Sequence, residues 1–141
     1  MALTQHLLLP VFLQFALTIY MLMRMGQGRV RAVRSGQVKY SEIDTNKSAY
    51  PETVQNFANN YQSQFELPVL FYVVSLFALA TGLVDDVLIW LAWVFVGSRL
   101  LHSIVHTGTN RIATRFKVFV AGLVFLVAMW AWFGLRLFVI G

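Results

Sequence analysis

The chain alternates between long apolar runs and short polar connections. Four apolar runs extend over residues 7–23, 65–83, 87–105 and 118–140. Each is close to the roughly 20 residues that an α-helix needs to cross about 30 Å of hydrocarbon. The pattern predicts an all-α fold, an integral membrane four-helix bundle, with residues 1–141 forming a single transmembrane domain.

The predicted helices extend beyond some of the apolar runs. They cover about residues 5–25, 52–83, 87–107 and 115–140, and a cytoplasmic loop covers residues 26–51. The second helix begins early because Pro51 and Glu52 are typical of the first turn of a helix. The long loop is rich in glycine, serine and charge, and it is either a solvated connection or a ligand-binding segment.

Composition agrees with a membrane location. The sequence is 58% hydrophobic and 12% charged, whereas a soluble domain has about 25% charged residues. There is no cysteine, so thiol chemistry would have to come with a substrate. The first residues, MALTQH, lack the basic segment of a signal peptide, so we expect the first apolar run to be retained as a helix.

The net charge of +5 is distributed unevenly. Basic residues follow the first and third helices, whereas the connection between the second and third contains only the charges of Asp85 and Asp86. By the positive-inside rule the basic connections face the cytoplasm, so the charge indicates topology and no nucleic-acid partner. The short loops and the absence of a targeting segment favour a bacterial source, so we expect a multi-pass protein of a bacterial inner membrane.

Charged residues inside a membrane span are candidates for function, because placing them in lipid is costly. Glu66 and Arg99 lie about 26 Å and about 18 Å from the outer ends of their helices, at 1.5 Å per residue. His102 and His106 follow Arg99 at three and seven residues and share its side of the third helix. These four residues predict a polar pocket near the cytoplasmic surface.

Two other interpretations of these residues stay open. Glu66 and Arg99 could form an ion pair that only fixes the register of two helices. His102, His106 and Glu66 could instead bind a metal ion. We expect no metal, because no further ligand is evident.

Three other residues predict specific structural features. Gln14, in the first helix, predicts a hydrogen bond to another helix. Arg136, near the end of the fourth, predicts a side chain that extends to the membrane interface. Pro68 lacks an amide hydrogen, so it predicts a bend where the second helix enters the membrane.

The blocks FELPVLFY and GSRLLHSIVH give the chain a resemblance to the MAPEG family, the membrane-associated proteins in eicosanoid and glutathione metabolism. The four helices and the long basic first loop extend this resemblance over nearly the whole chain. It implies a homotrimer that binds glutathione, as cosubstrate, between neighbouring subunits near the cytoplasmic side. The family includes microsomal glutathione transferases, prostaglandin and leukotriene synthases, and a non-enzymatic lipoxygenase-activating protein.

The resemblance also implies roles for individual residues. The candidate catalytic residue is Arg115, which falls on the arginine that faces the glutathione sulfur in several members. The candidate glutathione-binding residues are Arg31, Ser63, Glu66, Arg99, His102 and His106. Glu66 matches the acid of the N-x-x-E motif, with Ser63 at the asparagine position. Arg99 and His102 match the R-x-x-H segment, and His106 falls where the enzymes usually have tyrosine.

These residue types suit glutathione, an anionic tripeptide with a thiol. Arginines bind carboxylates through charge-assisted hydrogen bonds, and a guanidinium beside the sulfur favours the thiolate. The sequence thus predicts a glutathione-dependent transferase or peroxidase that acts on hydrophobic electrophiles from the bilayer. The alternative is a non-catalytic membrane protein that binds lipid or a partner protein in the same pocket. It is motivated by Ser63 and by the absence of arginine from QNFANN.

Overall fold

A computed structural model describes residues 2–43 and 46–140, and this part of the chain is helical apart from its connections. The α-helices are α1 (Ala2–Arg34), α2 (Glu52–Ser63), α3 (Leu67–Thr81), α4 (Asp86–Thr107) and α5 (Ile112–Leu135). Two short 3-10 turns, Tyr40–Glu42 and Lys47–Ala49, lie between α1 and α2, and a π-helical turn, Arg136–Ile140, follows α5.

Four helical segments in the described part of the chain are long and apolar enough to cross a membrane. They are Leu3–Arg34, Glu52–Thr81, Asp86–Thr107 and Ile112–Ile140, so α2 and α3 together make the second span. α4 packs against α5 along its length, and α1 contacts α2, α3 and α4. The prediction of an all-α, multi-pass membrane protein with four apolar spans is confirmed.

The first helix continues to Arg34, well into the connection that the sequence analysis treats as a loop from residue 26. The stretch after the apolar run stays helical because it packs against α2, with Ala32 buried in a cluster with Tyr50 and Val54. Arg31 and Arg34 lie in the last turn, where positive charge stabilises a helix end. Gly36, with φ 74°, then reverses the chain in the left-handed conformation.

The second span is broken between α2 and α3. α2 ends at Ser63 and α3 begins at Leu67, with Pro68 in the first turn of α3, where its missing amide hydrogen removes no helical hydrogen bond. The predicted bend at Pro68 is therefore a complete interruption over residues 64–66. Glu66 directly precedes α3, and its side chain is exposed.

The main apolar core fills the half of the bundle near the connection between α3 and α4. Phe71 of α3 stacks on Phe95 of α4, with ring centroids 4.9 Å apart, and both side chains are fully buried. The same core buries Leu7, Leu88, Leu126 and Met129. This arrangement fixes α3, α4 and α5 against one another and leaves the polar residues to the other half.

Asp85 organises the connection between α3 and α4. Its carboxylate accepts from the amide of Leu88 at 2.9 Å, which caps α4, and from the indole of Trp132 at 2.9 Å. The guanidinium of Arg136 lies 3.8 Å from the same carboxylate. Arg136, which we expect to extend to the interface, therefore forms a salt bridge with Asp85.

Candidate functional site

A buried hydrogen-bond network holds the break between α2 and α3. Gln14 Nε2 donates to Gln64 Oε1 at 2.8 Å, and Gln64 Nε2 donates to Asn60 Oδ1 at 2.8 Å. Ser103 of α4 also donates to Asn60 Oδ1, at 3.1 Å. All four side chains are buried. The predicted interhelical hydrogen bond of Gln14 is confirmed, and it is one part of a network that joins α1, α2 and α4.

Arg99 lies against the end of α2, next to this network. Its side chain is only 1% exposed, and Nη2 donates to the carbonyl oxygen and to Oγ of Ser63, at 3.1 and 3.0 Å. Nε and Nη1 are buried without a hydrogen-bond partner among the residues that the structure describes. Arg99 thus fixes the position of Ser63 through two hydrogen bonds from the buried interior.

The ion pair between Glu66 and Arg99, one of the open interpretations, does not form. Within residues 2–43 and 46–140, Glu66 makes no salt bridge, although its carboxylate lies within electrostatic range of Arg99. The predicted depths of Glu66 and Arg99 in the membrane depend on a second helix that is continuous, whereas this helix is broken into α2 and α3. Because α2 ends at Ser63, Arg99 contacts Ser63, and Glu66 faces outward at the start of α3.

A cavity of about 310 Å³, here called the polar pocket, opens beside Ser63 at the end of the bundle that carries most of the basic residues. Its lining includes five of the predicted site residues: Ser63, Glu66, His102, His106 and Arg115. Asn59 of α2 also lines it, and Phe116 and Phe119 contribute an apolar side from α5. The volume lies at the lower end of the range for ligand pockets, which begins at about 300 Å³.

The two histidines form a buried wall of the polar pocket. Their rings are perpendicular, with centroids 5.5 Å apart. Nδ1 of His102 and both ring nitrogens of His106 lack a hydrogen-bond partner in the described part of the chain. No three metal-ligating side chains come together among the described residues, so His102, His106 and Glu66 do not form the alternative metal site. These three ring nitrogens are buried polar atoms that the described residues leave without a partner.

Arg115 lies in the first turn of α5, half-buried beside the polar pocket. Its Nη1 donates to Asn110 Oδ1 at 3.0 Å, and Asn110 Nδ2 donates to Asn56 Oδ1 of α2 at 3.3 Å. Asn110 has φ 47°, a left-handed conformation that asparagine adopts more readily than most residues. This chain of bonds ties Arg115 to α2, while its remaining N–H groups can bind a ligand.

Arg31 is not in the polar pocket of its own chain. It is exposed in the last turn of α1 and lines a separate groove, of about 400 Å³, together with Arg24, Phe57 of α2 and Thr107 of α4. The structure therefore does not bring Arg31 together with the five predicted site residues that line the polar pocket.

Sequence reasoning missed several residues that shape the site. Gln64, Asn60 and Ser103 stabilise the break, and Asn110 positions Arg115. One signal was available, because Ser103 lies four residues after Arg99 and therefore on the same side of α4. The roles of Gln64 and Asn60 depend on where α2 ends, which the apolar pattern does not give.

The fold and the pocket together define a class: an integral membrane protein with four apolar spans and a basic, histidine-lined pocket at one end. The chain belongs to the MAPEG family, which it matches over residues 7–135. This match covers nearly the whole sequence and confirms the resemblance seen in its motifs. No curated protein and no solved structure matches the sequence.

Proposed function

We propose that the protein is a membrane-bound, glutathione-dependent transferase or peroxidase that acts on hydrophobic electrophiles. The observation that supports this most is the polar pocket, in which Arg115, Glu66, Ser63 and two histidines meet. Family membership supports it as well, since MAPEG proteins are generally membrane-bound enzymes of this kind.

Each group in the polar pocket suits one part of glutathione. The exposed carboxylate of Glu66 accepts hydrogen bonds from the peptide's ammonium group. Asn59 and Ser63 can bind its amide groups. The guanidinium of Arg115 lies beside the sulfur and stabilises the thiolate, which is the nucleophilic form.

The proposed reactions need no group beyond the two substrates. In conjugation, the thiolate donates an electron pair to an electrophilic carbon and forms a C–S bond, while the displaced pair departs with the leaving group. In peroxide reduction, two glutathione molecules are oxidised to their disulfide, and the O–O bond is reduced to an alcohol and water. A hydrophobic acceptor can approach from the bilayer past Ile112 and Phe116, which are 74% and 65% exposed.

We further propose that the chain forms a homotrimer in which Arg31 of one subunit reaches the glutathione bound by its neighbour. The position of Arg31 supports this, because it lies outside the polar pocket of its own chain. The basic residues of α1 and α5 support a cytoplasmic location of the site. The membrane that we propose is a bacterial inner membrane. Native mass measurement in detergent is expected to give three chains, and a monomer would contradict a site shared between subunits.

Turnover assays separate the enzyme from its alternative. The purified protein, in detergent or vesicles, is expected to accelerate the reaction of glutathione with a hydrophobic aryl halide or a lipid hydroperoxide. Binding of glutathione without turnover of either class would contradict the enzyme. It would favour a non-catalytic protein that binds lipid or a partner, which Ser63 at the asparagine position of N-x-x-E also favours.

A further inference from the structure

A second cavity, of about 260 Å³, adjoins the polar pocket and is here called the basic pocket. Arg29 of α1, Lys47 of the second 3-10 turn and Gln55 of α2 line it. Asn59 lines both cavities. The two cavities therefore share a lining residue, and a ligand longer than one pocket can extend from the first into the second.

The basic pocket is held in shape by specific contacts. The Arg29 guanidinium lies 5.5 Å from the ring centroid of Tyr50, and its Nε is buried without a hydrogen-bond partner among the described residues. Gln55 Nε2 donates to the carbonyl oxygens of Tyr50, at 2.6 Å, and Ser48, at 3.3 Å. These bonds fasten the turn that carries Lys47 to α2. Both cations are thus directed to the same cavity.

The charges of the two pockets differ in a way that fits glutathione. Glutathione has two carboxylates and one ammonium group. The lining of the polar pocket includes the carboxylate of Glu66 and the guanidinium of Arg115. Arg99 is buried against Ser63 and is not accessible to a ligand. If Arg115 faces the sulfur, a carboxylate at the far end of the peptide has no cation in that pocket. The basic pocket has two cations and no acidic side chain among its described lining residues.

The position of Asn59 gives the order in which the peptide meets the two pockets. Glu66 and Asn59 both line the polar pocket, and Asn59 also lines the basic pocket. With its ammonium group at Glu66, the peptide can extend past Asn59, so that its glycyl end reaches the basic pocket.

We propose that the basic pocket binds the glycyl carboxylate of glutathione, with Arg29 and Lys47 as its partners. This inference rests on the proposed function and adds a specificity determinant to it. The two cations supply the positive charge that the stretch QNFANN lacks. They also select for peptides that carry a carboxylate at this end and against thiols that lack one.

Calorimetric titration of the wild type and variants with glutathione and with its glycyl amide tests the proposal. The wild type is expected to bind the amide about tenfold more weakly, the usual effect of losing a charge-assisted hydrogen bond. Lys47→Ala and Arg29→Gln are each expected to weaken glutathione binding by a similar factor. Each variant should discriminate less between glutathione and the amide than the wild type does, because the carboxylate has lost one of its two partners.

Two matched controls are Lys39→Ala, in the same connection, and Arg34→Ala, at the end of α1, since both remove an exposed cation outside the basic pocket. If Lys47→Ala binds glutathione and its amide with the same affinities as the Lys39→Ala control, the proposal is overturned. The proposed function is left intact by that result. Wild-type protein that binds no glutathione would instead overturn both. Lys47 is exposed, so its variant decides the question even if Arg29→Gln fails to fold.

Discussion

Arg115→Ala is expected to raise the pKa of the bound glutathione thiol from about 6.5 to about 8.5, its ordinary value. The guanidinium stabilises the thiolate and not the neutral thiol, so its removal returns the thiol to its behaviour in water. At pH 7 the ionised fraction would fall from about three quarters to about 3%. The rate of conjugation falls by less, because a more basic thiolate is intrinsically more reactive.

The ionisation is measured directly by titrating the ultraviolet absorbance of the thiolate in the complex. The difference in ionised thiol between the wild type and Arg115→Ala is expected to be largest near neutral pH. It disappears as pH rises above the thiol's ordinary pKa, because glutathione is then bound as the thiolate in both proteins. Arg111→Ala is the control, since Arg111 is exposed and directly precedes α5 but does not line the polar pocket. An unchanged thiol pKa in Arg115→Ala would exclude a role for Arg115 beside the sulfur.

Gln64→Leu is expected to lower the free energy of unfolding by about 2 to 4 kcal/mol. The substitution removes the acceptor of Gln14 Nε2 and the donor to Asn60 Oδ1, at a place where all the partners are buried. Leucine is close in size to glutamine, so the loss comes mainly from hydrogen bonds and not from volume. Reversible denaturation in detergent micelles gives the measurement.

Gln62→Leu is the matched control, because Gln62 is exposed in the last turn of α2 and lies only two residues away. The double variant Gln14→Leu with Gln64→Leu should lose less free energy of unfolding than the sum of the losses in the two single variants, since both remove the same hydrogen bond. Equal loss in Gln62→Leu and Gln64→Leu would show that the buried network does not hold the break.

The overall fold could be predicted because it depends on apolar run length and charge distribution. Four apolar runs near the length of a membrane span gave four helical spans. The end of α1 was placed too early, because the apolar pattern ends near residue 23 whereas helix formation continues through the basic residues to Arg34. Hydrophobicity marks what enters the membrane and does not mark where a helix stops.

The lining of the polar pocket was predictable to a large extent, but the contacts among its residues were not. Ser63, Glu66, His102, His106 and Arg115 came from motif positions, and all five line one cavity. The partner of Arg99 depends on the break after Ser63, which the sequence indicates only as a bend near Pro68. The break between α2 and α3 determines that the Arg99 guanidinium contacts Ser63 and not Glu66.

Arg29 and Lys47 illustrate the same limit. Arg29 lies in α1 and Lys47 in the connection that follows it, and no periodic pattern relates the two. Their approach depends on the extension of α1 and on the bonds from Gln55 to the turn. Such a cavity becomes evident only when the tertiary contacts are known.

The central claim is that the polar pocket is a glutathione site. Calorimetric titration of the purified wild-type protein with glutathione tests it most directly. The expected result is saturable binding of one glutathione per chain, abolished or strongly weakened when Glu66→Gln removes the partner of the ammonium group. The absence of binding heat at millimolar glutathione, in protein shown to be folded, would contradict the claim.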